Sequence, residues 1–194
     1  HVAPDAVDLQ SFSKVDREIS RVFLRSQLGI PEHSQVALYV GSFGLYAWKG
    51  VDIAKKAAEI IPDVIWLFVG GSAKECEDLT RGAAPNIRTL PRARREDIPM
   101  LLSGADVLLL PNKSGDPASE RDTSPMKLFE YMASGVPIVA SDISSLREIL
   151  DEHTAFLIPP NNPQALAESV RKVLADPTEA TRRANAARTA VEAY

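Results

Sequence analysis

Short apolar runs of strand length alternate with amphipathic segments of helix length along almost the whole chain. Several of the runs are continuous stretches of Val, Leu and Ile, a pattern typical of parallel strands covered on both faces. The predicted strands are Val36–Val40, Val64–Val69, Asn86–Leu90, Val107–Pro111, Pro137–Ala140 and Ala155–Ile158. The predicted helices are Lys14–Leu28, Val51–Ile61, Ala73–Arg81, Arg95–Leu102, Pro125–Ser134, Ser145–Leu150, Pro163–Leu174 and Thr178–Ala193. This alternation predicts an α/β fold, a doubly wound, Rossmann-like parallel sheet of about six strands with helices on both faces, in a single domain.

Composition and charge narrow the classes of function. The 194 residues carry a net charge of −4 without a long run of one sign, which argues against a nucleic-acid partner. The single cysteine, Cys76, excludes an internal disulfide framework, and the three histidines are too far apart to suggest a metal site. The apolar runs are shorter than the roughly 20 residues of a membrane helix. A cytoplasmic protein is therefore expected, with membrane contact only through parts of a full-length protein outside this chain.

The loop after the fourth predicted strand, Asn112–Ser124, is the longest loop and leads directly into a helix. Ser124 fits the helix cap and Pro125 fits the first helical position. The backbone N–H groups of Met126 and Lys127 are then free at the positive end of the helix dipole, where anions bind. Because ligands of such sheets bind at the carboxyl ends of the strands, this helix start is a candidate anion site.

The helix after this loop is apolar nearly all round, except for Lys127, Glu130 and Ser134, which share a strip about 60° wide. A carboxylate on such a helix must be paired or must face a polar crevice. Two interpretations of Glu130 remain open, a pair with Lys127 at the solvent or a ligand-binding role. Glu130 lies about 9 Å along the axis from the cap. A ribose at Glu130, a diphosphate at the amides and a sugar at Asp122 would follow one line, an order that suits a nucleotide sugar.

The segment SPMKLFEYMASGVPIVASDISSLREIL, Ser124–Leu150, resembles the family-4 retaining glycosyltransferases of GT-B architecture. Other segments resemble the same family in register, and together they cover essentially the whole chain. They are VALYVGSFGLYAWKGVD (Val36–Asp52), similar to the phosphate loop, WLFVGG (Trp66–Gly71), similar to the second strand, and ADVLLLP (Ala105–Pro111), similar to the strand before the signature loop. Residues 1–12, HVAPDAVDLQSF, resemble the segment that leads in from a missing N-terminal domain. The resemblance thus implies that residues 13–194 form the C-terminal, nucleotide-sugar-binding domain.

The family carries two carboxylates separated by seven residues. The resemblance assigns Glu130 to the second, which holds the ribose hydroxyls, and Asp122 to the first, which contacts the donor sugar. The family usually has glutamate at the first position, and Glu120 is a competing candidate whose spacing is wrong by two. Lys49 matches the lysine that binds the donor diphosphate and stabilises the charge of the leaving group. The resemblance therefore implies Lys49 and Asp122 as the catalytic residues.

Many relatives place an arginine just after the glycine of the phosphate loop, where this chain has Ser42-Phe43. Either that phosphate contact is missing, or Lys127 or an arginine of Arg92–Arg95 replaces it. Leu90–Arg92 is the candidate rim of the base site. The complete set of candidate donor-binding residues is Gly41, Gly44, Lys49, Leu90, Arg92, Asp122, Ser124, Met126, Lys127 and Glu130. The two glycines either let the backbone approach the ligand or meet the needs of a turn.

The reaction implied is the transfer of a hexose from a nucleoside diphosphate sugar, of UDP or GDP, with the anomeric configuration retained. The acceptor is expected on the missing N-terminal domain, the domain alone is expected to be inactive, and neither a metal nor a cofactor beyond the substrate is expected. A nucleotide-sugar epimerase of the same architecture and a non-catalytic interaction module remain alternatives. A Rossmann dehydrogenase is disfavoured because no GxGxxG follows the first strand.

Overall fold

A computed structural model of the protein describes residues 7–43, 46–117, 119 and 125–193. Within this part of the chain lies a six-stranded sheet in the order β3-β2-β1-β4-β5-β6, with every neighbouring pair parallel. The strands are β1 (Val36–Val40), β2 (Ile65–Gly71), β3 (Ile87–Pro91), β4 (Val107–Leu110), β5 (Ile138–Ser141) and β6 (Phe156–Ile158). This order places the topological switch point between β1 and β4. The predicted fold class is confirmed, and each predicted strand overlaps an observed one.

Helices cover both faces of the sheet. They are α1 (Leu9–Ser13), α2 (Arg17–Leu28), α3 (Val51–Ile60), α4 (Ala73–Thr80), α5 (Ile98–Ser103), α6 (Pro125–Ala133), α7 (Ser144–Arg147), α8 (Pro163–Ala175) and α9 (Pro177–Val191). One apolar core packs α2, α5 and α6 against the sheet, and a second packs α3, α4 and α8 against the opposite face. None of the described helices is long and apolar enough to cross a membrane.

Several helix boundaries differ from the prediction, and local chemistry explains two of these differences. Helix α2 begins at Arg17 rather than Lys14, because the Asp16 carboxylate caps it by accepting a hydrogen bond from the Ile19 amide at 3.0 Å. The predicted helix Arg95–Leu102 is divided into a 3₁₀ turn, Arg95–Asp97, and then α5, which has a proline in its first turn. Helix α1 lies in a segment for which no helix was predicted.

A buried ion pair fixes α2 to the amino ends of β1 and β4. The Arg25 side chain is 1% exposed and its guanidinium donates to the Asp106 carboxylate at 2.6 Å. The same carboxylate accepts a hydrogen bond from the Val36 amide at 2.7 Å and pairs with Arg21. This cluster lies at the end of the sheet opposite the carboxyl ends of the strands, so it supports the fold without taking part in the candidate site.

Candidate functional site

Helix α6 packs against one face of the sheet, and its Tyr131 reaches β1 at the switch point. Its buried Tyr131 accepts a hydrogen bond through the hydroxyl from the Val40 amide at 2.8 Å. The next amide, that of Gly41, donates to the Val69 carbonyl of β2, so the Val40 N–H points to the β4 side. On that side the pairing of β1 with β4 has already stopped at Leu38. Tyr131 therefore satisfies the strand end where β1 and β4 diverge, and brings the amino end of α6 to the carboxyl edge of the sheet.

Two lysines lie around the turn that follows β1. The Lys49 ammonium donates to the Ser42 hydroxyl at 3.0 Å and lies 4.6 Å from the centroid of the Tyr46 ring. The Lys127 ammonium, from the first turn of α6, lies 4.5 Å from the centroid of the Tyr39 ring. The Tyr39 hydroxyl in turn donates to the Ser42 carbonyl at 3.3 Å. Both cations are thus held on aromatic faces next to the same turn.

The environment of both lysines disfavours their charged forms. Burial, together with the positive charge of Lys49, lowers the pKa of Lys127 to about 7, although the nearby Glu130 opposes this shift. Burial also lowers the pKa of Lys49. Burial of both lysines, and the positive charge of Lys49 beside Lys127, make their charged forms costly, so an anionic ligand at this turn would stabilise them.

Glu130 lines an open cavity of about 400 Å³ one turn further along α6. Met126 from the same helix also lines it, and the opposite walls include Ser11 and Phe12 of α1 and Arg95 of the 3₁₀ turn. Burial raises the pKa of the Glu130 carboxyl, and the charges of Arg95 and Lys127 act against this shift.

Within the described ranges, no ion pair joins Glu130 to Lys127. The two side chains diverge along the helix, Lys127 to the Tyr39 ring and Glu130 to the cavity. The geometry favours a carboxylate available to a ligand over the paired interpretation of this residue.

The backbone at the turn is closely packed even without a ligand. A Cβ atom at Gly41 would lie 2.8 Å from the Tyr39 hydroxyl, so packing alone requires a residue without a side chain. Gly50, which ends the 3₁₀ turn that carries Lys49, has φ +71°, and its Cβ would lie 1.8 Å from the Pro111 carbonyl oxygen. Both glycines therefore fix the position of Lys49 relative to the ends of β1 and β4.

The two residues predicted for the rim of the base site, Leu90 and Arg92, lie outside the cavity that Glu130 lines. Leu90 is half-buried in β3 and packs against the core. The exposed Arg92 uses its backbone N–H to donate to the Gly71 carbonyl at 2.9 Å. A backbone contact of Arg92 with a base is thus restricted to its carbonyl group.

Sequence reasoning missed the wall of the cavity that α1 provides. The sequence before residue 13 is too short to show a helical repeat of apolar residues, and its pattern predicts only an entry segment. Two signals mark the short helix, Asp8 at its cap, which accepts a hydrogen bond from the Gln10 amide at 3.1 Å, and the three-residue spacing of Leu9 and Phe12. The candidate residues Gly44, Asp122 and Ser124, and the competing Glu120, lie outside the described residues, so their roles stay predictions.

Comparison with known proteins gives the family. The sequence profile of glycosyl transferases group 1 matches residues 20–190. The chain is 30% identical over 202 residues to the D-inositol 3-phosphate glycosyltransferase of Xylanimonas cellulosilytica, an alignment that covers 98% of this chain and 46% of that protein. The chain therefore spans about half the length of this curated relative.

Solved structures agree with this comparison. The structure of HepE from Anabaena in complex with UDP-glucose superimposes with a TM-score of 0.77 at 25% identity, over 97% of this chain and 51% of HepE. The C-terminal domain of the group 1 glycosyl transferase LpcC from Francisella tularensis shares the fold, with a TM-score of 0.71 at 18% identity over 97% of both chains. The resemblance to glycosyltransferases of GT-B architecture is confirmed, and the chain belongs to the glycosyl transferases group 1 family.

Proposed function

We propose that this chain is the donor-binding half of a hexosyltransferase that uses a nucleoside diphosphate sugar and retains the anomeric configuration. One observation carries the proposal: the Glu130 carboxylate lines a cavity without an ion pair to Lys127, while the amino end of the same helix lies beside two lysines at the switch point. A carboxylate that can accept hydrogen bonds from hydroxyl groups and a positively charged site that can bind an anion thus lie one helical turn apart on α6.

The nucleotide would lie along α6 in a single direction. Its diphosphate would lie at the first-turn amides of Met126 and Lys127, which have no partner within the helix. Its ribose would lie about 5 Å further along the axis, where Glu130 accepts hydrogen bonds from the hydroxyl groups. The cavity of about 400 Å³ beside Glu130 offers room for the nucleoside.

The relatives support a nucleotide-sugar donor. HepE, at 25% identity, has been crystallised with UDP-glucose, and the protein from Xylanimonas is a glycosyltransferase. The name of the Xylanimonas protein supports sugar transfer and the HepE complex supports a nucleotide-sugar ligand, and neither name mentions an epimerase or a purely structural module. UDP is accordingly the first nucleotide to test, with GDP beside it.

The chemistry assigned to the chain is stabilisation of the departing diphosphate. Lys49 would neutralise the negative charge that develops on the leaving group, and α6 would add its dipole, which together provide the electrostatic help that a metal ion gives elsewhere. Asp122 is proposed to contact the donor sugar. The acceptor would bind to the N-terminal domain of the full-length protein, so the chain alone is expected to bind nucleotide without turnover.

Calorimetric titration of UDP, GDP and ADP into the chain tests this proposal. We expect weak binding of one of them, and loss of that binding on Glu130→Ala. Glu59→Ala, on the exposed surface of α3, is the matched control and should bind as the unmodified chain does. Absence of binding of all three nucleotides would refute a donor site, and unchanged binding by Glu130→Ala would remove Glu130 from it. A measurable transfer rate from the chain alone, with a suitable acceptor, would contradict its expected inactivity.

A further inference from the structure

The turn after β1 provides only one cation of its own. Lys49 lies there, but the two residues after Gly41 are a serine and a phenylalanine. The Phe43 ring packs edge-on against Phe68, with ring centroids 6.4 Å apart and an interplanar angle of 90°, so it serves the apolar core. A diphosphate carries at least two negative charges, so a second positive group would add to the neutralisation that Lys49 and the helix dipole provide.

The arginines after β3 are poorly placed for this role. Arg94 is already paired, with Glu96 at 2.8 Å and with Asp97 at 2.9 Å. Arg95 lines the cavity of Glu130, and its charge is felt by that carboxylate. Lys127, in contrast, lies over Tyr39 next to the turn that holds Lys49.

We propose that Lys127 is the second cation of the diphosphate site and contacts the phosphates from the side of α6 while Lys49 contacts them from the side of the turn. This inference rests on the proposed function, because it assumes that the anion is the diphosphate of a nucleotide. The inference assigns two residues of α6 to different parts of the nucleotide: Lys127 binds the phosphates, and Glu130, three residues later, binds the ribose.

The groups around Lys127 make the binding of an anion by this lysine dependent on pH. The Tyr39 ring of β1 lies 4.5 Å from its ammonium and the Tyr131 ring of α6 lies 6.0 Å away. The charged groups that act on it are Lys49, which lowers its pKa, and Glu130, which raises it, and burial is the largest effect. With a pKa of about 7, close to half of the Lys127 side chains are neutral at pH 7 in the empty site.

A bound diphosphate favours the ammonium form and raises the pKa of Lys127, so nucleotide binding takes up a proton. Below pH 7 the lysine is already charged in the free protein, and no uptake is expected from it. Above pH 7 the free lysine is neutral and the bound one is charged, so affinity falls as the pH rises. The decrease approaches about tenfold per pH unit until the pKa of the bound state is reached. The terminal phosphate of UDP, with a last pKa near 6, is mostly ionised at pH 7 and almost fully ionised at pH 8 and above.

The test is calorimetric titration of UDP and UMP between pH 7 and pH 9, in buffers that differ in ionisation enthalpy. We expect the unmodified chain to take up close to one proton per UDP at pH 8. Lys127→Met should weaken UDP by about tenfold to a hundredfold at pH 7, weaken UMP less, and abolish proton uptake. Lys127→Arg keeps the charge at every pH, so its UDP affinity should not fall between pH 7 and pH 9. The exposed Lys56→Met is the matched control and should behave as the unmodified chain does.

The outcomes separate the two proposals. If the unmodified chain binds neither UDP nor GDP, the proposed function fails and this inference fails with it. If UDP binds and depends on Glu130, but Lys127→Met binds it with the same affinity and the same proton uptake, only the role of Lys127 is refuted. Folding of each variant is checked by its urea unfolding midpoint, so that a loss of binding is not mistaken for a loss of structure.

Discussion

Replacing Tyr131 with phenylalanine removes a hydroxyl that joins α6 to the end of β1. In the protein this hydroxyl accepts a 2.8 Å hydrogen bond from the Val40 amide, at the point where β4 no longer pairs with β1. Phenylalanine fills the same space but accepts nothing, so the Val40 N–H loses its partner. Because Val40 is half-buried, we expect a loss of about 1–2 kcal/mol in the free energy of unfolding.

Urea denaturation followed by circular dichroism measures this loss. With a slope of about 2 kcal/mol per molar urea, the midpoint should fall by about 0.5–1 M. Tyr46→Phe, at an exposed tyrosine, is the control and should keep the midpoint. The same Tyr131→Phe variant should bind UDP more weakly, because Lys127 and Glu130 both depend on the position of α6. An unchanged midpoint would refute the structural role that we assign to this hydroxyl.

Two further variants test the packing that stabilises the sheet. Asp106→Ala should lower the free energy of unfolding by about 3 kcal/mol, because it leaves the buried Arg25 without its carboxylate; a loss below 1 kcal/mol by urea denaturation would contradict this. Gly50→Ala should destabilise the chain far more than Gly82→Ala, although both glycines have positive φ, because only at Gly50 does a Cβ collide with the Pro111 carbonyl. Gly82→Ala should cost about 1 kcal/mol in thermal or urea unfolding, and equal losses for both would refute the steric argument.

The regular part of the fold follows from short-range patterns. The buried parallel strands are predicted because continuous apolar runs such as Val107–Pro111 suit a sheet covered on both faces, and here the strand Val107–Leu110 is fully buried. Helix caps and very short helices are harder to predict, because they do not follow the repeat of apolar residues. Asp16 shortens α2 by capping it, and the five-residue α1 is too short for a helical period to show in the sequence.

The candidate site could be predicted only as a set of residues. The helical projection places Lys127 and Glu130 in one strip, and so leaves open whether they pair with each other. Their separation depends on partners far away in sequence, the Tyr39 ring for the lysine and the cavity beside Ser11 and Arg95 for the carboxylate. Such partners are brought together by the fold, and a pattern within one helix contains no information about them.

The most direct test of the account is a double-mutant cycle between Glu130 and the ribose hydroxyl groups. The affinities of UDP and of 2′,3′-dideoxy-UDP are measured for the unmodified chain and for Glu130→Ala. If the carboxylate binds the ribose, removal of the hydroxyls weakens binding to the unmodified chain but hardly affects the variant, with a coupling of about 1.5–3 kcal/mol in binding free energy. Equal losses in both proteins, and hence no coupling, would contradict the central claim that Glu130 holds the ribose of a donor nucleotide.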